Sequence, residues 1–412
     1  MIRPAITIGV LVVVTTVACG GAPEAVPSTG PEPNPSIQTI DCRTNSPECP
    51  PVIVEGDSEF RLPNGSESPI HGFADPSIRA DPGGDRLWMA YSWPHLHLHG
   101  GQELTIGVET HLAYSDDQGE RWIFDSVLWP SMATASPDGR DGFVDYEVPN
   151  LLPVNSPQGT TWYAARLEYF VPQEGFDPGE WTRTFRIGVL AAPSPQALTE
   201  AEPALLGSAV TDPDWGIDTD LSALDPQVSA CAMWNEPALY WEDGRLYLVL
   251  RCLFFPRGSV DPDLTRSDLV VFATDAAGDP PDWHWEFVGT LAGAAEAAEL
   301  GGEGLTQADI ARGRDGSLLA ILTPDSWEPS RGDFIHHGCR VVEIESMAEP
   351  ALARHADGSL VLRATTSASD AGILGPAACA YEPEASIGLL QTHRTKTDDR
   401  LVATINATGI TI

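Results

Sequence analysis

Positive charge is scarce in this chain. Its 412 residues hold 23 Lys plus Arg against 59 Asp plus Glu, a formal net charge of −36, and Lys396 is the only lysine. A surface this acidic repels phosphate, which argues against nucleic acid and anionic lipid headgroups as partners. Long apolar runs are missing too: after Cys19 no segment is long and apolar enough to cross a bilayer as a helix. Helical periodicity is nearly absent, the one candidate being the alanine-rich stretch 293–300. What remains is an all-β pattern. Leu87-Trp88-Met89-Ala90-Tyr91, Leu246-Tyr247-Leu248-Val249-Leu250 and Leu318-Leu319-Ala320-Ile321-Leu322 are strand-like, and several such runs follow Asp-Gly or Gly-Gly turns.

At the N-terminus, Arg3 precedes a short apolar run over 6–14, then Thr16-Val17-Ala18-Cys19-Gly20-Gly21. A run of that length reads as a signal-peptide core. Small residues before a cysteine resemble the bacterial lipobox, although Thr16 stands where an aliphatic residue is usual. The expectation is a lipoprotein signal over 1–19, exported and lipid-anchored to the bacterial cell envelope through Cys19. That lipid would be the only membrane contact of a monomeric body. Residues 20–50, rich in Pro and Gly and most biased over 22–38, are expected to form a disordered tether, leaving 51–412 as the folded body.

A unit of acidic residue, apolar strand, turn and second strand recurs. It begins at Asp75, Glu147, Glu236, Asp309 and Glu382, spacings of 72, 89, 73 and 73 between those positions. About 70 residues hold four strands and their turns, so each unit has the size of a propeller blade. The predicted fold is a five-bladed β-propeller, closed by a segment near 52–62 joining the last blade. In the first unit, Ser115-Asp116-Asp117-Gln118-Gly119-Glu120-Arg121-Trp122 resembles the Asp-box of sialidase-like propellers. There Asp caps the turn, Gly takes a positive φ and Trp packs between sheets. That places the turn away from any active mouth.

Six cysteines remain after Cys19, an even number suited to an oxidising compartment. Cys42 and Cys49 are neighbours and most simply pair. Blade geometry puts Cys231 and Cys252 on one rim, and Cys339 within reach of Cys379.

In a propeller the inner strands begin at the axis on one face, so the five acidic residues are expected to ring a central mouth. Converging carboxylates perturb one another's proton affinity, which lets one act as acid while another stays ionised, as glycosidic cleavage requires. Phe73-Ala74-Asp75-Pro76-Ser77-Ile78, followed by Leu87-Trp88-Met89-Ala90-Tyr91-Ser92, resembles the opening blade of five-bladed glycoside hydrolases of the family 43 type. The resemblance implies an inverting mechanism with Asp75 as general base and Glu236, in Asn-Glu-Pro, as general acid. Glu147 would tune that acid, with Asp145 as its competitor. The family normally carries Asp where Glu147 stands, and Gly or Ala before the Pro that follows its acid. Trp93, Asp145, Asp309 and Glu382 are expected to contact the carbohydrate, with Tyr169, Phe170, Trp181, Phe254 and Phe255 as further aromatics near the mouth.

Two other signals compete. Phe60-Arg61-Leu62-Pro63 is similar to the early motif of sialidases. His95-Leu96-His97-Leu98-His99 would present three imidazoles on one side of an extended strand, an arrangement that can hold a divalent metal, with His336 and His337 on the same face. Alternatives to a carbohydrate hydrolase are therefore a non-catalytic binding or scaffold propeller, whose acidic ring holds a cation or a basic partner, and a metal-binding lipoprotein.

Overall fold

The computed structural model describes residues 37–412 apart from 44–45, 100–101, 174–184, 210–214, 258, 260, 369–373 and 398–399. Cys19 and Trp181 lie outside the described residues, as does the side chain of His99.

Strands buried on both faces decide the architecture. Along Leu87–His99, Leu87, Met89 and Tyr91 pack one way while Trp88 and Ala90 pack the other. A period of two with both faces apolar demands a neighbour on each side. Among the described residues the strands form five sheets, met in chain order. Their innermost strands are Ala74–Ala80, Asp141–Ser156, Met233–Glu242, Gly304–Arg312 and Pro376–Ala380. These five touch one another in a closed cycle, the last against the first. Each seam between adjacent sheets is filled by its own apolar cluster: Trp88, Leu112, Tyr146 and Leu190 at the first, and Trp234, Leu248, Phe272 and Ile187 at the second. The protein is an all-β propeller. The short helix Ala294–Leu300 falls where expected, and at its start Glu296 reaches back to accept from Gly293 N at 3.0 Å.

The N-terminal segment closes the ring differently from expectation. Gln38–Asp41 runs parallel to Leu362–Ser367 as the outer strand of the fourth sheet, and the disulfide Cys42–Cys49 behind it is buried. Gln38–Asp41 and the Cys42–Cys49 disulfide, which the expected tether over 20–50 would include, thus belong to the folded body. Val54–Glu55 edges the first sheet, and Ile70–Gly72 completes the last by pairing with Arg400–Ala407. Of the segment 52–62 expected there, only Val52 bonds to that strand. Proximity explains the correction, because the residues immediately before Ala74 are those that can pass from the last sheet to the first. Gly72 makes the passage possible. It sits at φ +115°, and a Cβ there would lie 2.0 Å from the Ala403 carbonyl oxygen.

Cys231–Cys252 and Cys339–Cys379 pair as expected, the first within the third sheet and the second between the fourth and fifth. The turn after Gln102–Ser115 is locally satisfied. Ser115 Oγ accepts from Gly119 N at 2.8 Å, Asp117 accepts from Arg121 N at 2.9 Å, Gly119 has φ +92°, and Trp122 is buried in the seam with the fifth sheet.

Candidate active site at the propeller mouth

Each innermost strand carries an extra residue. Register shifts fall between Ala74 and Ser77, Asn235 and Ala238, Thr306 and Ala308, and Ala377 and Ala380, with a matching shift opposite Glu147. Four bulge residues are left-handed: Asp75 (φ +48°), Val148 (+50°), Glu236 (+57°) and Ala378 (+50°). Non-glycine residues adopt this conformation at a cost and persist in it where the surroundings over-determine it. Hydroxyls from neighbouring sheets supply part of that hold, Thr392 accepting from Asp75 N at 3.1 Å and Ser92 from Val148 N at 3.0 Å. Asp75 and Glu236 thus occupy equivalent bulges, whereas Glu147 lies one residue before its own.

The three carboxylates nevertheless share one field. Burial raises Glu147 to about 8, with the charges of Asp75, Glu236 and Asp145 adding and Arg394 opposing. Burial raises Glu236 to about 7, with Asp75 adding and Arg394 and Arg251 opposing. Tyr169, across the strand, donates to Glu147 Oε2 at 3.4 Å. Around them stand Arg251, which donates to buried Asp325 at 2.7 Å, and Arg394, which donates to His336 Nε2 at 2.9 Å. His336 is held neutral by burial and by both arginines. Asn235 Oδ1, Arg251 Nε, Asp325 Oδ1, Gln391 Oε1 and Arg394 Nε are buried here without a protein partner, a mixed set of donors and acceptors suited to hydroxyl groups. Sequence reasoning missed Arg251, Asp325, Gln391 and Arg394. Polar residues inside otherwise apolar strands, such as Arg251 after Leu246-Tyr247-Leu248-Val249-Leu250, were the available signal.

Two of the five expected mouth residues are elsewhere. Asp309 lies three residues along its strand from Thr306, where it takes both Arg79 guanidinium nitrogens, Asn150 Nδ2 at 3.1 Å and Tyr381 N at 3.2 Å. Glu382 follows the end of its strand and accepts from Ala80 N at 3.0 Å. Both plug the far end of the axis and are not placed to touch a substrate. Asp145 is fully buried, bonded to His97 at 3.0 Å and to Ser131, so it too faces protein. Trp93, half-buried, stacks on His111 (4.8 Å, 15°) and lies 5.6 Å from His95 and 5.8 Å from Phe60, inside an aromatic row. Phe170 is buried, Phe254 lies beneath the Arg266 guanidinium at 3.5 Å, and Phe255 packs against the core between the second and third sheets. A cleft of about 330 Å³ opens on the third sheet, lined by Gln227, Phe254, Arg266, Asp268 and the Cys231–Cys252 disulfide; none of the three carboxylates lines it.

The histidine segment is part of the strand Leu87–His99. His95 and His97 share one face, as alternation requires, and both are buried. Among the described residues no three His, Cys, Asp or Glu side chains converge as a metal site. His337 bonds to Ser326 at 2.9 Å, and His336 belongs to the mouth.

No family model matches the chain, and no curated protein matches it. Solved structures do. It is 11% identical to an arabinanase of Bacillus subtilis, covering 81% of this chain and 92% of that one at a TM-score of 0.40. It is 11% identical to the catalytic domain of a GH62 α-L-arabinofuranosidase of Coprinopsis cinerea (87% and 94%, 0.43) and 12% identical to a sialidase of Trypanosoma rangeli (90% and 60%, 0.42). At this level the likenesses do not bear on substrate or mechanism, which rest on the mouth itself.

Proposed function

We propose that the chain is a five-bladed, exported glycoside hydrolase, anchored through a lipidated Cys19, that cleaves an extracellular carbohydrate with inversion. The observation that carries this reading is the division of labour at the mouth. Glu236 and Glu147 keep their protons near neutrality, partly because of the charge on Asp75, and Glu236 shares Asp75's strand position two sheets away. A carboxyl that keeps its proton in the same mouth as a second carboxylate is what an inverting site needs.

In the proposed reaction Asp75 takes a proton from water as the water oxygen bonds to the anomeric carbon. The bond from that carbon to the leaving oxygen breaks, and Glu236 gives its proton to that oxygen. Glu147 supplies a neighbouring carboxyl, itself raised to about 8 by burial and by the charges of Asp75 and Glu236. Arg394 and Arg251 limit how far that affinity rises, and the unpartnered Asn235, Asp325 and Gln391 oxygens would accept from sugar hydroxyls. The turn at 115–122 is read as an Asp-box, a folding device remote from this chemistry.

The test is a panel of aryl glycosides and polysaccharides offered to residues 37–412, with Asp75→Asn and Glu236→Gln beside the wild type. Cleavage of at least one member, lost in both variants and giving the inverted anomer by NMR, supports the reading. A retained anomer, or cleavage unchanged in the variants, removes it. The anchor is tested separately by radiolabelled-lipid incorporation into the full chain, which Cys19→Ala should abolish.

A further inference from the structure

The buried histidines remain without a role in this chemistry. His95 and His97 aim their Nε2 atoms over Gly107 so closely that a Cβ there would lie 2.7 and 2.6 Å from them. His97 stacks face to face on Phe143 (3.7 Å, 8°) and bonds both oxygens of Asp145, at 3.0 and 3.1 Å. Ser131 donates to the same carboxylate, while its backbone N–H reaches Glu109 at 3.2 Å. Asp145 stands two residues before Glu147 on one strand, so both side chains lie on the same face.

We propose that His97 is a positioning residue that acts through Asp145: its N–H holds this buried carboxylate beside Glu147 and so fixes the charge that Glu147 faces. The inference rests on the reading of Glu147 as the residue that tunes Glu236. Two donors, His97 and Ser131, meet the Asp145 carboxylate from both sides. Its charge then adds to those of Asp75 and Glu236 in raising Glu147, against Arg394, with Tyr169 the remaining titratable neighbour. Burial and the neighbouring His97 keep His95 neutral, with Glu109 and Asp145 pulling the other way. The row from Trp93 to His97 is thus an arm of the first sheet that reaches into the second and sets its buried charge.

Carboxyl NMR titration of the ¹³C-glutamate-labelled protein tests this without any substrate, the Glu147 signal being assigned by its loss in Glu147→Gln. Asp145→Asn should lower the Glu147 midpoint by about 1 pH unit. His97→Phe keeps the stack on Phe143 but removes the donor, so Asp145 is no longer held beside Glu147 and the midpoint falls in the same direction. His97→Gln restores an N–H and should return the midpoint most of the way. Ser131→Ala, which leaves the stack intact, should give a smaller fall. A midpoint moved by Asp145→Asn but not by His97→Phe or Ser131→Ala would make His97 a packing residue only and overturn the proposal, as would no movement in any variant. Because the readout is a titration, a chain that cleaves no glycoside would sink the proposed function while leaving this result standing on its own.

Discussion

The two ends of the propeller axis are both acidic and behave in opposite ways. At the far end Asp309 meets Arg79, Asn150 and the Tyr381 amide, so both oxygens have donors and the Arg79 guanidinium is neutralised. At the mouth Asp75, Glu147 and Glu236 face one another, Arg394 bonds to His336, and several buried polar atoms have no partner. The same inner strands build both ends. The difference teaches that compensation, not acidity, separates a structural carboxylate from a reactive one: the satisfied end holds the ring together, and the unsatisfied end is available for chemistry.

The largest expected effect lies at the mouth. Glu236→Gln should lower turnover by roughly 10²–10⁴-fold, measured on whichever glycoside the wild type cleaves, while denaturant unfolding shows no loss of stability. Asp309→Ala should do the reverse. It strands the Arg79 guanidinium in the core and is expected to cost about 3–5 kcal/mol by urea unfolding.

The pH dependence sharpens the contrast further. Glu147 and Glu236 rise from an ordinary 4.5 to about 8 and about 7, so the folded state binds more protons than the unfolded one between about 4.5 and about 8. Stability contributed by these groups is complete below that window and is lost as the pH rises through it. The double variant Glu147→Gln/Glu236→Gln should flatten this decline in a series of unfolding curves, and kcat/KM should fall above about 7 as Glu236 ionises. A smaller effect is expected away from the axis. Gly107→Ala drives a methyl into His95 and His97 and should cost about 1–3 kcal/mol, read as a lowered unfolding midpoint.

Much of this was legible in the chain. Alternating apolar runs predicted an all-β fold, and the three disulfides and the helix at 294–300 followed from spacing and composition. Asp75 and Glu236 were found because both open a recurring unit, and both fall on a bulge. Equal spacing misled at Asp309. Counting 73 residues matches units but not positions within a strand, and three residues along a strand is roughly 10 Å, enough to carry a carboxylate from the mouth into the axis. Glu147 was offset for the same reason, its bulge falling on Val148. The parallel outer strands at the N-terminus have only two to four residues each, too short for any periodicity to announce them. The His95–His97 face was read correctly as an alternation, but its partner Asp145 is 48 residues away in sequence and only the packing of two sheets reveals it.

The most direct test of the contrast between the two ends is a carboxyl NMR titration of the wild-type protein that follows Glu147 and Glu236 together. The account predicts midpoints near about 8 and about 7. Midpoints for both near the ordinary 4.5 would show that the mouth is as well compensated as the far end, and would contradict it.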